Sequence, residues 1–433
     1  MKHLCIQETL GQIPIDDDDG QAALTRAEAQ ALFAYVTAKG RSLRSECFQW
    51  TPNYLRISNY TGLIQLPTVA IEILPKVSNS ETDADSRRAL LRMLAEVGYL
   101  PTNISPHAEL QLERESLFEI LGHYFVELLL AEMRKGIYCN YVSEEENLKI
   151  LRGKLLLRQQ NENRMKGLGH KAYCCFEEFS ANNSLNQLFK MTVRFLRLRI
   201  RNLATLSKLK YAMFQLDAVE DRMLTGAEIQ SVQLTRLSRR FEPSLFLAKM
   251  FFQNLVATSA AGPRDAFAIL FPIDLLFEKY IARVLQRHVA EQVEVQISEQ
   301  SLWINRSSGY GIYRLKPDLK IGDGEGPCIL LDTKWKPIHS SENRHGISRE
   351  DFYQTYAYLT RYQSAHTVAL IYPHHSGITE GPGICLEDYY IDGDSNKRLQ
   401  IYSVRYENKF DTIDDLRKLI KTMQLSENCL KAV

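Results

Sequence analysis

The chain has 433 residues, with 53 Lys plus Arg against 52 Asp plus Glu and a net charge of +1. Its length is enough for two or three domains, and 45% hydrophobic and 24% charged residues are ordinary for a soluble globular protein. The balanced charge excludes nucleic-acid binding through overall basicity, so any basic surface must be local. No run approaches the roughly 20 apolar residues of a spanning helix, so no membrane partner is expected. The first 20 residues lack the apolar core of a signal peptide. Eight scattered cysteines contain no CxxC pair, which argues against a zinc site or a disulfide framework. A reducing cytoplasm is the expected compartment.

In chain order, residues 1–80 read as a β-rich domain. Thr25–Lys39 is an amphipathic helix with Thr25 as its cap. Tyr54–Ser58 alternates as a strand, and Val69–Lys76 is a strand ended by Pro75. The run Asp16–Asp19 is a solvated loop, since a cation needs spaced ligands. Ser78–Ser86 is a polar linker. Residues 87–260 form a mainly helical middle region, with helices over Arg87–Gly98, Glu115–Lys135, Ser184 to about Arg201, and Pro243–Val256. Gly136 stops the second of these. An insertion near 141–175 carries Glu144–Glu146 and Leu151-Arg-Gly-Lys-Leu-Leu-Leu157. Arginines 194, 197, 199 and 201 with Lys208 and Lys210 form one basic cluster, and Arg236, Arg239 and Arg240 another. Each either tracks phosphates or is a solvated helix face.

The last segment, 264–433, holds the chemistry. Pro272–Leu285 has helical spacing, with Pro272 suited to a first turn. Gln292–Ser298 alternates as a strand. Tyr313–Lys336 then reads YRLKPDLKIGDGEGPCILLDTKWK. Asp318 closes one strand-like run, a Gly-rich turn follows, and Cys328–Lys334 forms a second run. Ile329, Leu330 and Leu331 lead into Asp332 without a break, which marks a buried strand. Residues i and i+2 share a strand face, so Asp332 and Lys334 point together. Two carboxylates at neighbouring strand ends can share a hard cation, which would polarise a phosphate and acidify a bound water. The Lys334 ammonium would orient that water or stabilise charge on phosphorus. Arg349–Tyr362 reads as a helix that puts Gln354 and Tyr358 on one face. His366–Tyr372 is a buried strand, and Thr412–Met423 a closing helix. Glu278 is either an outer carboxylate near the metal or a solvated helix residue.

The order helix, three strands, helix, strand resembles the PD-(D/E)xK nuclease core, and Gln354 and Tyr358 match its Gln-x-x-x-Tyr element. Nearly the whole chain is similar to the McrC family, the nuclease subunits of McrBC modification-dependent restriction systems. The resemblance rests on Ile71-Glu-Ile-Leu-Pro-Lys76, on Leu151-Arg-Gly-Lys154, on Asn186 and Lys190, and on Pro317-Asp318, Asp332-Thr-Lys334-Trp-Lys336 and Tyr353–Tyr358. It implies a multidomain α+β protein with a β-rich N-terminal domain, a helical middle and a C-terminal α/β nuclease domain whose central mixed sheet is flanked by helices. It implies Mg2+ held by Asp318, Asp332 and the Thr333 carbonyl, with Lys334 catalytic, Gln354 beside the site, and Tyr358 and Lys336 towards double-stranded DNA. It also implies an AAA+ GTPase partner of McrB type that binds GTP and recognises DNA. The region up to about residue 170 would engage that partner, with Arg152 or Lys154 at the ring or, for Arg152, in a structural salt bridge. One site per chain implies a second copy for double-strand cleavage. This chain departs from the family pattern where Asn182, Asn183 and Ser184 stand in place of an acidic residue. It has no Walker A sequence and no GxGxxG after a strand, so nucleotide hydrolysis falls to the partner. The alternatives are a GTPase-activating scaffold with a weak or dispensable nuclease, and a stand-alone repair nuclease, which the long N-terminal half disfavours.

Overall fold

The computed structural model describes residues 2–9, 11–17, 22–37, 44–75, 82–100, 115–253, 266–290, 292–298, 300–322 and 328–430. They form two compact units, 1–117 with 259–433, and 118–258. No helix among them is long and apolar enough to cross a membrane.

The chain begins with β1 (Lys2–Gln7), β2 (Gln12–Pro14), α1 (Arg26–Thr37), β3 (Phe48–Trp50), β4 (Tyr54–Ile57), β5 (Tyr60–Gln65), β6 (Val69–Leu74) and α2 (Asp83–Val97). Thr25 and Glu28 exchange hydrogen bonds across the first turn of α1, the capping box that starts that helix. The expected linker is shorter than its sequence suggests. Thr82 caps α2, so residues 83–86 are helical, while 78–81 lie outside the described residues. Glu72 on β6 is fully buried and takes a bidentate ion pair from Arg87 on α2, at 2.6 and 3.1 Å. Removing one partner of such a pair would leave a bare buried charge.

The second unit holds α3 (Leu117–Met133), β7 (Asn140–Leu148), β8 (Lys154–Leu155), α4 (Leu157–Met165), β9 (Ala172–Ser180), α5 (Ser184–Arg197), α6 (Leu203–Gln215), α7 (Gly226–Ser231) and α8 (Glu242–Gln253). The region anticipated as an insertion is a three-stranded sheet in the order β7-β9-β8, with α4 beside it. Asn186 and Lys190 are structural. The Asn186 amide donates to the carbonyls of Tyr138 and Ala181, and the Lys190 ammonium to that of Val219. Asn183 caps α5 by accepting from the Asn186 N–H, so a neutral side chain does the capping at the start of this helix.

The first unit resumes with β10 (Phe267–Pro272), α9 (Ile273–Val284), β11 (Val293–Val295), β12 (Ser301–Ile304), β13 (Gly311–Arg314), β14 (Leu319–Ile321), β15 (Cys328–Thr333), α10 (Arg349–Arg361), β16 (Ala365–Pro373), β17 (Cys385–Ile391), β18 (Asp394–Val404) and α11 (Lys409–Leu430). Pro272 ends β10 and caps α9 rather than lying in its first turn. β10 pairs antiparallel with β5 and completes the four-stranded sheet β1-β6-β5-β10. The segments 1–80 and 264–433, anticipated as separate domains, therefore share a sheet, and α2 packs on α9. A six-stranded mixed sheet follows, ordered β11-β14-β15-β16-β18-β17, with β15, β16 and β18 parallel. Its central strand β16 is buried almost throughout, as the apolar run from Thr367 to Tyr372 requires.

Gly62 on β5 has φ +133°, and a Cβ there would lie 2.0 Å from the Ile269 carbonyl oxygen on β10. Gly62→Ala should destabilise the protein by about 3 kcal/mol or more, through strain and loss of the β5–β10 pairing. Urea unfolding of the variant beside the parent measures it.

Candidate active site

The site forms where β14 and β15 run side by side. Leu319 pairs with Leu331, so extending that register by one residue sets Asp318 opposite Asp332. Directly opposed residues share a face. Asp318, expected to close a strand, sits instead at the bend that opens β14, because the run before it turns away into the β12–β13 hairpin.

Each carboxylate has its own surroundings. Asp318 Oδ2 accepts from the Thr333 N–H and from the Thr333 hydroxyl, both at 2.7 Å. Burial, then repulsion from Asp332 and Glu278, outweighs those bonds and pushes the Asp318 carboxyl up to about 7. Asp332 is 2% exposed. Its Oδ1 lies 3.2 Å from the Tyr358 hydroxyl and 3.5 Å from the Gln354 amide. Its Oδ2 meets Lys334 Nζ at 2.6 Å, a charge-assisted hydrogen bond. Burial raises the Asp332 carboxyl, and Lys334 offsets this without cancelling it. Burial alone would lower the Lys334 ammonium, but Asp332, Asp351 and Asp318 together hold it above its ordinary value.

Helix α10 supports the pair from one side. Gln354 Oε1 accepts from Lys334 Nζ at 2.8 Å, and its amide donates to the Tyr358 hydroxyl at 2.6 Å. Tyr358 is 1% exposed and also reaches the Lys316 carbonyl at 3.0 Å. The expected DNA contact of Tyr358 is therefore corrected: packed under the site against Leu330 and Val368, it has no surface to offer. Lys336 places its ammonium 3.2 Å from both oxygens of Asp351, with half of its side chain still exposed. Glu278 is buried rather than solvated. It accepts from Gln296 at 3.1 Å, and its carboxyl is raised by burial and by Asp332.

Three participants escaped the sequence reading. Asp351 is 3% exposed and gathers Lys336, Lys334 and the Tyr372 hydroxyl. The signal was present, since Asp351, Gln354 and Tyr358 are spaced three and four apart on one helix face. Gln296, at φ +54°, ties the Asp318 carbonyl to Glu278. Glu8, from the far end of the chain, accepts the Trp335 indole N–H at 2.6 Å. Trp335 in turn packs edge-on against Phe277 and Tyr406. No local sequence pattern reports such a distant partner.

Among the described residues no three His, Cys, Asp or Glu side chains converge enough to hold a metal by themselves. Two carboxylates with a backbone carbonyl suit Mg2+, which keeps several waters and takes further oxygens from a phosphate. The opposed carboxylates of Asp318 and Asp332 and the elevated Asp318 both fit a hard cation. In the other unit, Arg152 stacks on Phe176 at 4.2 Å and lies 3.2 Å from Glu178, a solvent-exposed salt bridge. Lys154 is exposed on β8. Gly153 between them has φ +69°, and a Cβ there would meet the Cys175 carbonyl at 2.4 Å.

Asp318 ordinarily titrates near 3.8 and titrates near 7 when folded. The folded chain thus holds the proton more tightly; the stability this contributes is present below about pH 4 and lost as pH rises to about 7. Asp318→Asn should therefore raise metal-free stability at pH 8 by on the order of 1–3 kcal/mol, and by less at pH 5. Thermal melting in EDTA at the two pH values checks it.

No curated protein matches the chain. Over 98% of its length it is similar, at TM-score 0.70 and 20% identity, to the whole of a chain in a refined half-complex from a tetradecameric assembly of Thermococcus gammatolerans McrB AAA+ hexamers with bound McrC. A second likeness, to the cryo-EM structure of the Thermococcus gammatolerans McrBC complex, has TM-score 0.48 and 24% identity over 66% of this chain and 88% of that one. At 20% identity the first likeness is one of fold. The family described as McrBC 5-methylcytosine restriction system component matches residues 55–373, about three-quarters of the sequence, and the chain belongs to that family.

Proposed function

We propose that this chain is the Mg2+-dependent DNA endonuclease subunit of a GTP-driven restriction complex, with its site in a PD-(D/E)xK-type domain. The observation that carries the reading is the opposition of Asp318 and Asp332 at the β14–β15 strand ends, with Lys334 Nζ 2.6 Å from Asp332. Asp318, Asp332 and the Thr333 carbonyl would hold Mg2+. When bound, the cation supplies Lewis acidity towards a phosphodiester and lowers the pKa of water.

The chain's own residues do the rest. Thr333 fixes the Asp318 carboxylate through two hydrogen bonds, so its remaining oxygen is aimed without further ordering. Tyr358 and Gln354 fix Asp332 from below. Gln354 also holds the Lys334 ammonium, which stays charged and can orient a water or stabilise the charge that builds on phosphorus. Asp351, 3.8 Å from the same ammonium, gives Lys334 a second anchor when Asp332 turns to the cation. One site per chain means that a double-strand break needs two copies. Cys5, Cys47, Cys139, Cys174, Cys175, Cys328 and Cys385 are free thiols, as a reducing cytoplasm would keep them.

The partner reading has separate support. Ile150, Leu151, Leu157, Tyr141 and Phe179 are exposed on and around the β7-β9-β8 sheet. Exposed apolar side chains at both ends of one small sheet suit a protein interface that runs along it. By likeness to the McrC bound to McrB AAA+ hexamers, we assign this region, with Arg152 and Lys154 on it, to an AAA+ GTPase partner. The same surface is what favours the second reading, a subunit that chiefly stimulates the partner's GTPase.

Plasmid cleavage with Mg2+, GTP and the AAA+ partner decides between them. Lys334→Ala and Asp332→Asn should each reduce cutting by on the order of 1,000-fold while leaving stimulated GTP hydrolysis intact. Tyr358→Phe should reduce it about 10-fold, a loss of one orienting hydrogen bond. Cutting that survives Lys334→Ala would remove this site from the chemistry.

A further inference from the structure

The β12–β13 hairpin is not used by the chemistry above, yet it leads straight into the site. Only Leu315, Lys316 and Pro317 separate Arg314 from Asp318, a reach of at most about 14 Å. Its base is held by the residues that support the site: the Lys316 carbonyl accepts from Tyr358, and the Ser301 carbonyl accepts from Arg361 on α10. Leu302 packs against the Tyr358–Leu359–Tyr362 core. The tip is rigid, since the Asn305 side chain takes hydrogen bonds from Ser307 and from the Ser308 N–H while its backbone pairs with Tyr310.

What the hairpin shows to solvent is specific. Trp303 and Ile312 face each other across the strands and are both exposed, and Tyr310 and Tyr313 are about three-quarters exposed. Residues 300–317 contain Arg306, Arg314 and Lys316 and no acidic residue. All three cations are exposed, and none has an ion-pair partner among the described residues. Tyr313 has φ +54°, a conformation costly for a bulky side chain and kept where the surroundings impose it. A braced arm with unmatched positive charge and presented aromatic rings, beside a phosphodiester site, is complementary to DNA.

We propose that the β12–β13 hairpin is a DNA-gripping arm: Arg306, Arg314 and Lys316 neutralise duplex phosphates flanking the scissile one, and Trp303 packs against sugar or base edges. This rests on the nuclease reading for why DNA lies there, but binding can be measured apart from cutting. The duplex is favoured over a protein occupant by the absence of any acid from 300–317 and by the short tether to Asp318. Within about 14 Å a duplex presents roughly eight phosphate charges.

The test is fluorescence anisotropy of a labelled oligonucleotide duplex with the full chain in EDTA, over a range of salt. Arg306→Ala with Arg314→Ala should weaken binding about 10-fold or more and reduce the salt slope by about 2. The matching pair of Lys substitutions should bind close to the parent. Trp303→Ala should weaken binding severalfold without changing the slope. Unchanged affinity and slope in the double Ala variant overturns the proposal, as does a parent chain that binds no duplex. A double Ala variant that binds DNA normally but no longer co-purifies with the AAA+ partner also overturns it, making the arm a protein-docking element. If the arm variants lose DNA as expected while the parent never cuts with Mg2+, GTP and partner, the arm stands and the nuclease reading falls.

Discussion

Two carboxylates set opposite each other and withdrawn from water repel, and the rest of the site is arranged around that repulsion. Unit charges about 4 Å apart interact by about 4 kcal/mol at an effective dielectric near 20. A whole domain is stable by only about 5–15 kcal/mol. The pair is tolerated because each acid is treated differently. Asp318 is given two donors from Thr333 and is still pushed up to about 7, so near neutrality it shares its proton readily. Asp332 is given a cation, Lys334, and a buried hydroxyl, Tyr358. Glu278 adds a third charge close enough to be felt by both. A site so rich in negative charge is strained without a counter-ion, and under the proposed reading a divalent cation would relieve that strain.

Much of this was legible in the sequence because it is local. Ile329–Leu331 announced a buried strand, and the two-residue period put Asp332 and Lys334 on one side, as the 2.6 Å contact shows. The helix carrying Gln354 and Tyr358 came within a residue of its observed end. The direction of Tyr358 did not follow from its spacing. Sharing a face with Gln354 meant facing inwards, while Tyr353 and Tyr356 face solvent. Thr25 was readable as the cap of α1, though its pairing with Glu28 was not read, and β17 and β18 were not expected at all. Their residues, Asp388 and Asp394 to Lys397 among them, are too polar to advertise a strand; pairing with β16 decides the state of β18, and pairing with β18 that of β17.

Long-range partners were illegible for a different reason. Glu8 and Trp335 are joined by a 2.6 Å hydrogen bond across most of the chain, and β5 finds β10 only after the second unit has intervened. No window of sequence contains both halves of either contact. Their consequence is that the residue following Lys334 is anchored on the N-terminal sheet, so the position of the ammonium depends on both ends of the first unit.

The β5–β10 pairing has a further consequence during synthesis. Gln65 of β5 leaves the ribosome about 200 residues before its partner Phe267. At 5–20 residues per second that is a wait of roughly 10–40 s. Throughout it the edge of β5 presents unpaired amides and carbonyls beside buried-type side chains such as Leu63 and Ile64. The contiguous second unit has time to fold meanwhile. The edge of β5 in the nascent first unit is therefore the place where two nascent copies could pair with each other instead.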